Sequence, residues 1–464
     1  AVGIFSNFTF TFSETVRAGT GNIVVSQNSL GFGDIIVPTT DPQVRFDGRT
    51  MTLDLVDPRP AGTAFQIRLE ADAVRDIAGN QSQAVTGTAA LDFTTTTSTN
   101  GRWTIMVYIA GDNDLETFAV KDLNEMEEIA GLQGLGVNVV VLTDRSPGFA
   151  TDSGNWSDAR LGRIIPDNNT AVVTSLSSSA RSVGEVNMGD PQNLTALINN
   201  AATLAPADQY ALVIWNHGGG LSGAAWDDSS RGDNLTVKEI RDAVDASSIT
   251  KFDLIGFDAC QMAIADMAFA LRELCDVFVG SQADEPGDGW AYDDILEQLK
   301  ANPTMSETQL AQAIVTTYGN FYAGEPNITL SALTTSLLDE VAVALTNFVS
   351  VAVALPLFSG DRVPLSSAQN AALRFPDVDG TAADLVDYME QVMRLSSGAA
   401  IDAAAAAVID AVRDAVFATT GSVPEAEGLS INLPRGATQP DYTATNYSFL
   451  ANDVPLCRRF MYLF

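Results

Sequence analysis

"RWTIMVYIAGDNDLETFAVKDLNEMEEIAG", Arg102 to Gly131, changes character at its middle. Residues 103–110 form a nearly continuous apolar run ending at a glycine, which suits a strand buried on both faces. From Asp114 onward the apolar positions fall at helical spacing, with Asp114 as the expected N-cap. The alternation repeats downstream. "VNVVVLTD" (137–144), a helix in "PQNLTALINNAATLA", "YALVIWNH" (210–217), a helix near "TVKEIRDAVDA", "FDLIGFDA" (252–259), a helix from Gln261 and "DVFVGSQ" (276–282) follow in order. Strand–helix alternation across short turns predicts an α/β fold with a mostly parallel, helix-flanked sheet. Farther on come alanine-rich helices, including "AAIDAAAAAVIDAVRDAVFA" (399–418), and a strand in "GLSINLP" (428–434).

The first hundred residues have another texture. Phe8, Phe10 and Phe12 alternate with polar residues, and "MTLDLVD" and "AFQIRLEA" repeat that period between Gly-, Pro- and Asp-rich turns. Short strands at this spacing predict an all-β sandwich over residues 1–97. A polar tract, 98–102, reads as linker, and residues 103–464 read as the α/β domain.

Composition narrows the function. At 464 residues and 46% hydrophobic content the chain has material for two or three packed domains. Its 58 acidic and 25 basic residues give a formal charge of −33, which repels phosphate backbones and anionic lipid and argues against nucleic-acid partners. Such a surface either serves solubility in salt or draws in basic polypeptides. The three cysteines, Cys260, Cys275 and Cys457, cannot form a disulfide framework; Cys275 and Cys457 either pair or stay buried as thiols. Val341 to Phe358 is the nearest approach to a membrane span, but Thr346, Asn347, Ser350 and Pro356 interrupt it, and a core helix is expected. No signal peptide is legible at Ala1, so the expectation is a chain that starts after one was removed or at an artificial boundary.

His217 is the only histidine in the chain, and Cys260 closes the apolar run that follows it. In an open α/β sheet, ligands bind beyond the carboxyl ends of the strands, where both residues are expected. The glycines at 218–220 permit a tight turn with unhindered N–H groups. Cys260 also precedes an expected helix, whose dipole would favour the thiolate. A Cys–His nucleophilic site is coherent on these grounds, with the N–H groups of Gly218 and Cys260 holding the oxyanion. Taken singly, each residue has a blander reading: a satisfied structural imidazole and a small buried hydrophobe. Asp258 lies two residues before Cys260, so an extended strand end puts both side chains on one side.

Taken together, "WTIMVYIAGDNDLE", "NHGGG" with "WDD", "DLIGFDACQMA", "ADEPGDGWAYDDIL" and "GLSINLP" resemble the clostripain-like cysteine peptidases, relatives of gingipains, legumains and caspases. The match spans Trp103 to about Pro434 and implies a caspase-like domain in which His217 is base and acid and Cys260 is the nucleophile. It further implies that Asp258 floors the S1 pocket and selects Arg or Lys, with Asp284, Pro286 and Trp290 shaping its wall. For these residues, a strand-end carboxylate bonded to backbone and a proline-stiffened surface loop are the plainer alternatives. Some members are activated by a cut between the histidine and the cysteine, and Arg231, in "DDSSRGDN", is the candidate. Some need calcium; "GDNDLE" and "WDDSSRGDN" are carboxylate-rich but lack the spacing of a known calcium loop, and Asp112 or Asn113 can equally cap a helix. No organic cofactor is implied. Residues 1–95 resemble bacterial Ig-like domains of surface proteins, which implies an extracellular, cell-surface or periplasmic location. Two other functions compete: an inactive adhesion protein on a peptidase fold, and an amidase or transpeptidase using the same pair.

Overall fold

The computed structural model describes residues 8–433 apart from 28–33, 42, 54, 56–62, 87–90, 95–100, 147–148, 152, 168–170, 175, 177–180, 356–362 and 376–381. Cys457 lies outside the described residues, as does most of the expected linker. Its last two positions belong to a strand that starts at Gly101.

The N-terminal part contains β1 (Phe8–Thr11), β2 (Val16–Ala18), β3 (Asn22–Gln27), β4 (Ile35–Pro38), β5 (Val44–Asp47), β6 (Thr50–Leu53), β7 (Ala64–Leu69), β8 (Val74–Asp76) and β9 (Asp92–Thr94). They pair antiparallel in three sheets, ordered β1-β6-β5, β4-β3-β7-β9 and β2-β8. Inward residues such as Ile23, Val25, Met51, Leu53, Phe65 and Ile67 share one core, which is the Ig-like sandwich that the alternating pattern predicts.

The larger part is built on nine strands: β10 (Gly101–Gly111), β11 (Val137–Arg145), β12 (Ala159–Arg163), β13 (Arg181–Gly184), β14 (Ala207–Trp215), β17 (Phe252–Asp258), β18 (Cys275–Gly280), β19 (Thr329–Thr334) and β21 (Val416–Gly421). The order is β13-β12-β11-β10-β14-β17-β18-β19-β21. The five central strands, β11 to β18 in that order, are parallel, and the two at each edge are antiparallel. Successive residues of each central strand serve opposite cores. Leu212 and Ile214 of β14 face one cluster, and Ala211, Val213 and Trp215 face the other. Burial on both faces is why these strands read as apolar runs, each large side chain contributing about 1.5–3 kcal/mol.

Helix signals are legible where a capping residue precedes the periodic run. Asp190 caps the helix Pro191–Leu204, and Thr236 forms a capping box with Glu239 on Val237–Asp245. The helix Leu338–Ala354 buries Val341, Leu345, Phe348 and Ala352 along one face, as a core helix should, while Val343 and Val353 stay exposed. By length and composition Thr335–Ala354 could cross a membrane. Two expectations need correction. The alanine-rich helix ends at Ala415, because "VFATTG" is β-prone and pairs with β19 as β21. The helix after Cys260 starts at Ala265, not Gln261.

Candidate active site

The chain leaves β10, β14 and β17 at one edge of the sheet. Ile109 pairs with Trp215, and Trp215 with Asp258, so these three strand ends are level. This edge lies at the topological switch, since β11 adds to one side of β10 and β14 to the other. His217 and Cys260 each follow their strand by two residues, and both line a cavity of about 140 Å³ together with Asp258, Glu285 and Pro286.

The imidazole is oriented by the turn after β10. His217 Nε2 lies 2.8 Å from Asp114 Oδ1. A carboxylate can only accept, so the Nε2 position carries the proton and Nδ1 is left as the base. Asp114 is therefore not the helix cap expected from its position. Leu115 occupies the cap of Glu116–Glu128, and its N–H is taken by Asn113 Oδ1. Asn113 and Asn216 knit the loops: both donate to Ala110 O, Asn113 also to Trp226 O, and Asn216 Oδ1 accepts from Trp226 N.

Cys260 sits in a turn, and Gln261 beside it holds φ of +64°. Backbone bonds from Gln261 N to Ala283 O and Ala263 N to Ser281 O fasten this turn along the extension of β18. Gly218 packs directly on it; a Cβ there would stand 2.0 Å from Cys260 O, so only glycine fits. The sulfur receives the Glu285 N–H at 3.2 Å, and the N–H groups of Gly218 and of Cys260 itself also face it. The expected dipole effect is absent because the helix begins five residues later. Burial instead raises the thiol pKa, only partly offset by those N–H groups. The sulfur therefore needs a base to become nucleophilic.

Asp258 is 4% exposed at the inner end of the cavity. Its Oδ2 accepts from Trp290 N at 3.2 Å and from Tyr292 Oη at 2.8 Å. Gly289, at φ +58°, leaves room for it; a Cβ there would lie 2.9 Å from both carboxylate oxygens. Burial pushes its pKa up to about 6 despite those donors. Of the other three positions expected on the wall, Pro286 lines the cavity. Trp290 is buried behind it, its ring against Gly256. Asp284 is exposed and turned onto Gln261 Nε2, so it does not form the wall. The neighbouring Glu285 does, a residue that sequence reasoning passed over.

The model of the clostripain family matches residues 107–452, three quarters of the chain. The chain belongs to the clostripain family. A bacterial Ig-like domain model matches residues 1–95. Clostripain of Hathewaya histolytica is 32% identical over 230 residues, which cover 44% of this chain and 43% of that protein. The chain thus spans less than half the length of this curated relative. Among solved structures, a secreted C11 cysteine protease from Bacteroides thetaiotaomicron, in complex with an irreversible peptide inhibitor, has a TM-score of 0.58 at 22% identity, covering 77% of this chain and 99% of that one. An inactive zymogen C11 protease from Parabacteroides distasonis has a TM-score of 0.53 at 21% identity, covering 78% and 99%. Both share the fold.

This clostripain-family chain also gathers four carboxylates near the site. One ligand oxygen each from Asp112, Asp144, Glu185 and Asp227 lies within 4.8 Å of the others. Asp112 and Asp227 come from the two acidic stretches noted above; Asp144 and Glu185 are supplied by other elements, so no loop spacing announces the group. Asp144 is fully buried, and its Oδ2 has no hydrogen-bond donor. An all-oxygen, tetra-anionic set with an orphaned buried oxygen fits a hard divalent cation. Arg231 lies at the exposed tip of the hairpin formed by β15 (Ala224–Asp227) and β16 (Asp233–Leu235), with φ of +69°.

Proposed function

We propose that this protein is a cysteine endopeptidase that cleaves polypeptides after basic residues. The observation that carries the reading is the shared cavity, in which the only imidazole, a thiol and a buried carboxylate converge. His217 Nδ1 takes the thiol proton while Asp114 holds the ring. Cys260 Sγ adds to the scissile carbonyl carbon, and the Gly218 and Cys260 N–H groups receive the oxyanion, a contribution on the order of 10²–10³ in rate. The imidazolium returns its proton to the departing amine, leaving a thioester that water hydrolyses back to the thiol. Asp258 receives the cationic P1 side chain. The test is a panel of peptides varied only at P1, beside labelling with an arginyl acyloxymethyl ketone. Arg and Lys peptides should be turned over at least about 100-fold faster than neutral ones, with label on Cys260. Equal rates across the panel would refute the basic preference, and an unlabelled Cys260 would favour the inactive adhesion protein.

The Ig-like module and the secreted relative support a location outside the cell. The zymogen relative supports activation by cleavage, for which Arg231 is the exposed candidate. Its hairpin must open first, because a bound substrate is extended.

Calcium would be held by Asp112, Asp144, Glu185 and Asp227, tying the β10 turn that carries Asp114 to the loop following His217. When bound it neutralises this carboxylate cluster. Saturating calcium should raise the melting temperature by roughly 5 °C over chelator. Asp144→Asn should abolish most of that difference without lowering stability in chelator. An unchanged difference would refute the site.

A further inference from the structure

We infer that Leu115 and Phe149 form an apolar shelf on the leaving-group side of the site, an S2′ subsite for a large aliphatic or aromatic side chain two residues past the scissile bond. The inference rests on the peptidase reading and extends it to the departing half of the substrate. Reaction chemistry sets the direction. The imidazolium returns its proton to the departing amine, so the chain beyond the cut bond must leave Cys260 on the His217 side. His217 follows β14, and its ring is held by Asp114 from the turn after β10. In the sheet β10 lies beside β14 and β11 beside β10, away from β17 and the cysteine. The departing half therefore crosses the exits of β10 and β11. Neighbouring strands are about 4.8 Å apart, which puts the exit of β11 roughly 10 Å from that of β14, a span that an extended peptide covers in about three residues. Side chains of an extended chain alternate. With P1 turned into the cavity, P1′ points away from the protein and P2′ points back onto it, over the loops that leave β10 and β11.

Each of those loops offers an apolar side chain. Leu115, next to Asp114, is half-buried and lines the cavity. Phe149, in the loop after β11, is 52% exposed, a large ring left mostly in water. Its backbone is firmly held all the same. The neighbouring Ala150 donates its N–H to Glu116 Oε2 at 2.6 Å, and its carbonyl accepts from Arg145 Nη2 at 3.2 Å. Glu116 and Arg145 are buried and pair with each other at 2.5 Å, and the guanidinium lies 4.7 Å from the centre of the Trp156 ring. Charge-assisted bonds of this kind are short and directional. Glu116 adjoins Leu115 in the chain, so one buried ion pair fixes Phe149 relative to Leu115 and both relative to the Asp114–His217 contact. A P2′ side chain laid across the shelf would take apolar surface of its own and of the Phe149 ring out of water.

The experiment uses internally quenched peptides with Arg at P1 and Gly, Leu or Phe at P2′, otherwise identical, on wild type, Phe149→Ser and Phe149→Leu. Wild type should cleave the Leu and Phe peptides about 10-fold faster in kcat/KM than the Gly peptide, the return from burying part of a large apolar side chain. Phe149→Ser should bring that ratio below about 3, since Leu115 alone remains to cover the side chain. Phe149→Leu keeps an apolar surface and should keep most of the preference. The ratio is the deciding quantity, because damage to the fold or to the dyad slows all three peptides alike. Equal rates on the three peptides in wild type, or a wild-type ratio in Phe149→Ser, overturn the subsite and leave the dyad standing. A wild type that cleaves none of them, with Cys260 unlabelled by the arginyl acyloxymethyl ketone, overturns the basic-P1 peptidase reading beneath it.

Discussion

Replacing Cys260 with alanine should lower kcat/KM on an arginyl peptide by at least about 10³-fold, and His217→Ala should do nearly the same, while the double variant is no worse than either single one. Burial keeps Cys260 protonated at neutral pH, so under the proposed mechanism attack requires transfer of its proton to the imidazole, and neither group should act without the other. Effects of groups that act as one unit do not multiply. The fold should tolerate both changes: the sulfur makes only weak bonds, accepting from Glu285 N and donating to Glu285 O, and His217 is partly exposed with a largely exposed partner in Asp114. Activity and melting temperature measured on the four proteins decide the matter. A double variant whose loss is the product of the single losses would show two independent roles and no dyad. Asp114→Asn belongs in the same series; it removes the charge but keeps an amide oxygen that can accept from Nε2–H, and should cost less than removal of the ring.

The parallel sheet was legible because strands buried on both faces leave short apolar runs, and here those runs alternate with segments of helical period. His217 and Cys260 were expected at the carboxyl ends of neighbouring strands, and β14 and β17 do end level, with both residues on one cavity. Features set by loop geometry were not legible. Asp114 has the spacing of an N-cap, and only the path of the turn after β10 carries its carboxylate to the imidazole. Asp284 and Glu285 are adjacent acids in an irregular loop, where no period says which one faces inward. The segment after Cys260 looked helical from its apolar content, but its N–H groups are spent on the end of β18. Asp144 and Glu185 join Asp112 only through tertiary folding, which sequence spacing cannot register.

Asp258→Asn should cut cleavage after Arg and after Lys by about 10²- to 10³-fold, the cost of removing one partner from a buried, hydrogen-bonded charge pair. Iodoacetamide should still alkylate Cys260. This substitution removes charge from the floor of the cavity, so both cations suffer. Asparagine is the informative replacement because its oxygen can go on accepting from Trp290 N and Tyr292 Oη, which alanine would strand. Stability should move the other way. The folded-state pKa of Asp258 is raised to about 6 by burial, so the folded protein binds this proton more tightly than the unfolded chain, which releases it near 3.8. The resulting stabilisation is complete below the unfolded value and is lost as pH rises through about 6. Above that, wild type carries an ionised carboxylate beside Asp122 and Glu285, and the asparagine variant carries a neutral amide there. The melting temperature of Asp258→Asn relative to wild type should therefore rise between pH 4 and pH 7. A variant that retains its preference for Arg and Lys would remove Asp258 from the specificity pocket; one that loses the preference but melts lower at pH 7 than at pH 4, relative to wild type, would mean that Asp258 is ionised and well paired in the resting fold.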